Sequence, residues 1–455
     1  MNACRFPMRS STLDGVTRSP RCTILDQRVL ARGVFGFGGR DDGSSHMICK
    51  DDIEGNAMLK RMSGSLRNVD FGQVESRLYP EMQGRGLVSS RALVLPGQRI
   101  CSIPMEAVIT SDYVIRHNQI VDESIKNLPE WTLLALYLAD LLRTDRANDE
   151  SYMELYSRLL PRDAFTVIQW SENDVELLKG SHLYSIASDI RHAADATIEE
   201  VEHVARDTGS QWLRDIIDSG LLPFTLSLVL SRVVRLESDE GVYVGQGLCP
   251  GMDFLNHSCS SQSFIRYDSR NDSVYVSSDR IYKKGEQVYI SYGEKTNGEL
   301  FLSYGFCPED NIHDSCLFCM HAPPHVLPAL AEYNIPQEMV FPLRLNGLPE
   351  GIIRYSALLS VENSPADIAA VCDLYKSLSS DAAVPYDDRK RALRWIMKSV
   401  KESSRGYAVS MDEAKQTPQV SRGSVRDTIL MLLLQEHRIM NKVSYMAQQQ
   451  LVQLK

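Results

Sequence analysis

No apolar run in this 455-residue chain is long enough to cross a bilayer. The longest, "WTLLALYLADLL" at 131–142 and "TILMLLLQ" at 428–435, read as buried helices. An excess of basic residues is missing too: 49 Lys and Arg face 59 Asp and Glu, a net charge of −10. A broad nucleic-acid-binding surface wants a basic face, so that class is disfavoured, although a local basic patch stays compatible. No secretory leader is legible, and the ten cysteines are scattered rather than spaced as a framework. That fits reduced thiols inside a cell better than a set of disulfides. No internal repeat is visible. What remains is ordinary globular composition, 43% apolar and 24% charged, which excludes disorder throughout. The length allows two or three domains.

The N-terminus differs in character. Residues 1–40 carry seven arginines, no lysine and two acids, Asp14 and Asp26, among many Ser, Thr and Gly. This is the composition of an organellar transit peptide, and equally of a disordered extension with no address. Plastid or mitochondrion is the expected compartment under the first reading, and the cytoplasm under the second. Without this segment the rest of the chain is clearly acidic. Residues 41–70 lack sustained periodicity and read as linker or a loosely attached helix, so 1–70 is treated as an N-terminal extension.

From about 84, "GRGLVSSRALVLPGQRICSIP" sets short β-prone runs around a Pro96–Gly97 turn. Between about 120 and 230 the pattern is helical. In "SENDVELLKG", Ser171 can cap, Asp174 stands three residues on, and Gly180 closes the end. Ile186, Ile190, Ala194, Ile198, Val201 and Val204 recur at helical spacing as one buried face. Strands return at 264–292, read as two hairpins: "SFIRYDSRNDSVYVSS" around a polar turn, and "IYKKGEQVYISYG" bent at Lys284–Gly285. Beyond about 320 the texture is helical, and Ser424 with Asp427 opens a long final helix.

Three short pieces stand out: "GRGL" at 84–87, "DFLNHS" at 253–258, and "ISYGEKTNGELFLSYGF" at 290–306. Each is weak alone. A Gly-x-Gly without a following long helix is no dinucleotide fingerprint, a lone histidine is more often a satisfied core residue, and tyrosines commonly half-bury in sheets. Yet Asn256–His257 stands in an apolar stretch, where unpaired polar groups cost a few kcal/mol. In this order and spacing, the chain resembles SET-domain protein methyltransferases, and within them the Rubisco large-subunit lysine methyltransferase-like subgroup. Recognisable motifs cover about residues 80–310.

The resemblance implies an α+β fold: small sheets with a knot-like core and a helical insertion over residues 71–310, then an all-α substrate-binding domain over 311–455. It implies S-adenosylmethionine as cofactor and a protein substrate held by the C-terminal domain, with no nucleic acid or membrane partner. Gln83, Gly84, Arg85 and Gly86 are implied to meet the cofactor through backbone groups, Gln83 standing where the subgroup commonly has an acid. Arg232 is implied near the cofactor carboxylate, Asn256 and His257 at its amino group and adenine. Asp253 is implied on the substrate-lysine side, Tyr304 and Phe306 along the adenine and lysine channels, and Tyr292 as the catalytic tyrosine.

Cys259, Cys307, Cys316, Cys319 and His321 could supply four zinc ligands. Their spacing does not match the usual pattern after a SET core, so they are read as free and no metal is assigned. A histidine-directed relative resembles a chain with Asn after the arginine and Trp before the Asp; here Val233–Val234 and Met252 stand there, which is read as lysine. The expected function is therefore protein-lysine N-methylation of a non-histone protein, with histidine methylation and an inactive SET scaffold as alternatives.

Overall fold

Among the described residues, the strands gather into six small sheets, none wider than three strands. The computed structural model describes residues 50–79, 84–144, 151–163, 166–308, 311–361, 365–416 and 424–454. The arginine-rich N-terminal segment and Gln83 lie outside the described residues. The chain divides into two units. The first runs to Gln169 and again over Ile190–Glu294, and the second comprises Trp170–Asp189 and Lys295 onward.

In the first unit, Val74–Tyr79 is the middle strand between Lys50–Asp51 and Gly84–Ser89. Ser273–Ser277 likewise lies between Arg99–Pro104 and Arg266–Asp268. The hairpin expected around "DSRND" is there: Ser273 faces Asp268 and Tyr275 faces Arg266. The second expected hairpin is not. Gly285 makes its turn at φ +81°, but the strands on either side part company. Tyr282–Lys283 pairs with Leu93–Val94, and Tyr289–Ile290 pairs with Asn256–His257. A local turn signal fixes the bend and leaves the partners open.

Of the two readings of residues 41–70, linker or loosely attached helix, the described part is a helix, and it is docked rather than loose. Ile53–Ser65 is a helix capped by Asp52, which accepts from the Gly55 amide at 2.9 Å. Met58, Leu59 and Met62 bury one face in the core. Three apolar residues on two turns suffice to dock it, too few to raise a periodic signal among so many charges. The helix Glu130–Arg143 is buried at every position from Trp131 to Ala139, as the run "WTLLALYLA" required. No described helix is long and apolar enough to cross a membrane.

In the second unit, Ser171 caps the helix Glu172–Glu176 and Ser424 caps Val425–Gln453, each accepting from the expected Asp amide. The long helices Tyr386–Arg405 and Val425–Gln453 pack together with Ile352–Leu359 around a separate core. This region is not wholly helical. It opens with an antiparallel hairpin, Cys316–His321 on Glu338–Leu343, whose inner positions Cys316, Phe318, Met320, Phe341 and Leu343 are buried.

Candidate active site

Two segments far apart in sequence run side by side here. Tyr289–Ile290 pairs in parallel with Asn256–His257, Tyr289 opposite Asn256 and Ile290 opposite His257. A tight turn cannot join parallel strands, so the pairing requires the chain to return from elsewhere. The Ser258 amide donates to the Ile290 carbonyl at 3.1 Å and the Ser291 amide to the Ser263 carbonyl at 2.8 Å. On the other flank, the Val288 amide donates to the Leu87 carbonyl at 2.8 Å, and Val88 bridges to Gln287. The three pieces that stood out in the sequence are thereby brought side by side, except for the part of the third that follows Glu294.

Gly86 sits at their junction. A Cβ there would fall inside the contact distance of Gln287 Nε2 and within 2.7 Å of both Asn256 Nδ2 and Tyr79 Cε2. Only a bare backbone fits. Gln287 Oε1 accepts from the Tyr289 hydroxyl at 2.7 Å, while its buried Nε2 has no partner. Gly84 opposes Tyr79 in the ladder. The Arg85 guanidinium turns away, donating to Asp52 and to the Leu159 carbonyl, both at 2.8 Å.

Tyr292 is fixed from three sides. Its amide donates to His257 Nδ1 at 3.0 Å, its hydroxyl donates to the Leu255 carbonyl at 2.8 Å, and its ring stacks on the imidazole at 5.2 Å. Because Nδ1 accepts, the imidazole carries its proton on Nε2, which lies 3.5 Å from Cys259 Sγ. Burial pushes the Tyr292 phenol up to about 12, with Arg232 acting against the rise.

Arg232 and Asp253 were assigned to opposite ends of the site, and the structure joins them. Arg232 Nη1 donates to the Asp253 carbonyl at 3.1 Å and to Oδ2 at 3.0 Å. Tyr156 donates to the same Oδ2 at 2.6 Å, and the Gly251 amide donates to Oδ1 at 3.1 Å. The Asp253 side chain is 1% exposed with both oxygens engaged within the SET domain, by Arg232, Tyr156 and the Gly251 amide. The reason is electrostatic: a guanidinium at the end of a buried helix requires a counter-charge. Burial works against the charge on Arg232, and Asp253 and Tyr156 more than offset it. Its Nε is buried without a partner.

The profile of the SET domain family matches residues 84–293. This stretch is a SET domain. Its relatives include an actin-histidine N-methyltransferase of Danio rerio, 27% identical over 226 residues, or 47% of this chain and 37% of that protein. A ribosomal lysine N-methyltransferase of Schizosaccharomyces pombe is 25% identical over 251 residues, 55% of this chain and 44% of the other. SET domain-containing protein 4 of Homo sapiens is 29% identical, covering 52% and 54%. The chain thus spans roughly a third to a half of the length of these curated relatives. Among solved structures, Rubisco LSMT bound to sinefungin and monomethyllysine superposes with TM-score 0.66 at 18% identity, over 89% of this chain and 93% of that one. The LSMT SET domain bound to lysine and AdoHcy gives 0.65 over 88% and 92%. At that identity the likeness establishes a common fold.

The SET domain of this chain also uses residues that sequence reasoning missed. The helix Tyr152–Leu159 presents Tyr152 to the Pro250 carbonyl at 2.8 Å and Tyr156 to Asp253. Two tyrosines four apart on one helical face were the available signal. Gln287 carried none. Tyr304 and Phe306 belong to the second unit, their rings 6.2 Å apart at the end of the helix Asn297–Tyr304. Of the cysteines, Cys259 belongs to the SET domain, whereas Cys307, Cys316 and Cys319 belong to the second unit. Burial pushes the Cys307 thiol up to about 12.

Proposed function

We propose that this protein is an S-adenosylmethionine-dependent protein-lysine N-methyltransferase acting on a non-histone protein. The observation that carries the reading is the pair of buried, unpartnered donors, Arg232 Nε and Gln287 Nε2, set around the Asn256–His257 strand. Buried donors without acceptors are costly unless a ligand satisfies them. The amino-acid end of the cofactor offers such an acceptor, and Gly86, whose Cβ position is crowded by Gln287, Asn256 and Tyr79, lets the strand backbone lie directly against these groups. The backbone of Gly84–Gly86, Gln287, Arg232, Asn256 and His257 are the groups that would hold it. When bound, S-adenosylmethionine supplies a methyl made electrophilic by its sulfonium.

The residues here support transfer by alignment. Tyr292, with its pKa near 12, stays protonated at neutral pH and is no general base. Its proton is committed to the Leu255 carbonyl, which leaves the phenolic oxygen to accept weak C–H contacts. A free lysine has a pKa near 10.4, so about one in a thousand is neutral near pH 7.4. An apolar channel lowers that value, and the proton leaves to solvent before transfer. Desolvation and in-line placement then do most of the catalytic work.

The choice of lysine rests on the apolar residues beside the arginine and the aspartate. Met252 is fully buried, and Val233 and Val234 pack on the core, so none offers the hydrogen bonds an imidazole would use. The second unit is proposed to hold the protein substrate, which the extent of the structural likeness supports, 89% of this chain. The test is methyl transfer from labelled S-adenosylmethionine into a native protein extract, followed by acid hydrolysis. Label in methyl-lysine that drops sharply with Tyr292→Phe is the expected result. Label in methyl-histidine would overturn the choice of lysine, and absence of both label and cofactor binding would leave an inactive scaffold.

A further inference from the structure

Away from the SET domain, the hairpin that opens the second unit carries unlike metal-binding groups on its outer face. Side chains alternate along a strand, so Cys319 and His321 share one face while Cys316, Phe318 and Met320 turn to the core. Glu338 stands directly opposite His321 in the antiparallel register. The sulfur, an imidazole nitrogen and a carboxylate oxygen of these three residues all lie within 4.8 Å of one another, in the one such cluster among the described residues. We propose that Cys319, His321 and Glu338 bind a single divalent transition-metal ion of the zinc class.

The chemistry and the dimensions agree. Thiolate, imidazole and carboxylate are the three ligand types zinc takes from proteins, at about 2.0–2.3 Å. Bonds of that length put neighbouring ligand atoms of a tetrahedron about 3.3–3.8 Å apart. His321 Nδ1 and Glu338 Oε2 are already 3.1 Å apart. The sulfur closes on them by small rotations, because the His321 side chain is 71% exposed and the Glu338 side chain 37% exposed. The hairpin's methionines do not compete for the ion. Met320 and Met339 face the other way, where the Ser356 and Tyr375 hydroxyls donate to their sulfurs. Binding deprotonates the Cys319 thiol and releases that proton to solvent, and the fourth position is left to water. The ion would tie one strand to the other beside the core of the second unit.

The experiment uses the full chain, stripped with a chelator and titrated with cobalt(II). Wild-type protein is expected to develop sulfur-to-cobalt charge-transfer absorption that saturates at one equivalent and is displaced by zinc. Cys319→Ser is expected to abolish the band, His321→Ala and Glu338→Gln to weaken cobalt binding at least about tenfold, and Cys307→Ser to leave it intact. Far-ultraviolet circular dichroism checks that the variants fold. A wild-type protein without the band, or a band that survives Cys319→Ser in folded protein, would show that His321 and Glu338 form only a cross-strand ion pair.

Discussion

Nη1 of Arg232 donates to Asp253 twice, to the backbone carbonyl at 3.1 Å and to Oδ2 at 3.0 Å, with the guanidinium carbon 5.3 Å from the centre of the Phe254 ring. The arginine at the end of the helix Leu222–Arg232 is thereby locked to the turn that leads into the Asn256–His257 strand. Removing one member of such a buried pair strands the other charge, which costs about 3–5 kcal/mol. Arg232→Met is expected to lose stability on that scale in urea unfolding. The double variant Arg232→Met, Asp253→Leu is expected to lose less than the two single variants summed. Strict additivity would show that the pair does not act as a unit.

Gly86 makes a steric prediction. Gly86→Ala forces Gln287, Asn256 or Tyr79 aside and is expected to destabilise by about 1–3 kcal/mol. S-adenosylhomocysteine affinity, measured by calorimetry, is expected to fall with it. Gly64, exposed near the end of the helix Ile53–Ser65 with nothing near its Cβ position, is the control. Gly64→Ala is expected to stabilise by about 0.5–1 kcal/mol and to leave binding unchanged.

The contrast between local and distant signals explains what could be read from the sequence. The caps at Ser171 and Ser424 were legible because a cap and its partner are three residues apart. The bend at Gly285 was legible for the same reason. That Tyr282 would pair with Val94, and Tyr289 with Asn256, was not, since no local pattern names a partner so far along the chain. Arg232 and Asp253 were picked out as residues of interest, yet their mutual pairing emerges only when helix and turn are packed. Tyr156 and Gln287 were overlooked because their polar groups act through that packing.

Glu436 makes the second unit sensitive to pH. It is buried, accepting from the Tyr407 hydroxyl at 2.7 Å and from Ser181 at 3.1 Å. Burial raises its pKa from 4.5 to about 7, with the two hydrogen bonds acting against the rise. A carboxyl whose folded pKa is raised favours the folded state when protonated. Its contribution is fully present below about 4.5 and is lost as pH rises through 7. Between pH 5 and 8 the melting temperature is expected to fall by several degrees. Glu436→Gln is expected to flatten that dependence, and an equally steep fall in the variant would assign it to other groups.

Asp52 gives the opposite dependence, and its position ties it to the site. Burial pushes its pKa up, but the Ser76 hydroxyl, the Gly55 amide and the Arg85 guanidinium together hold it below the usual 3.8. Its contribution is therefore present above 3.8 and lost as pH falls through the depressed folded value. Asp52→Asn keeps a capping side chain and removes the charge that faces Arg85. At pH 7 the variant is expected to be less stable than wild type by about 1.5–3 kcal/mol, the scale of a hydrogen bond to a charged group. The gap is expected to close once the pH is low enough to protonate the wild-type carboxyl. Arg85 also holds the Leu159 carbonyl at the end of the helix that carries Tyr156. Loosening Arg85 should therefore weaken S-adenosylhomocysteine binding at pH 7 although Asp52 itself touches none of the proposed ligand groups. A destabilised variant with unchanged cofactor affinity would show that Asp52 secures only the helix it caps.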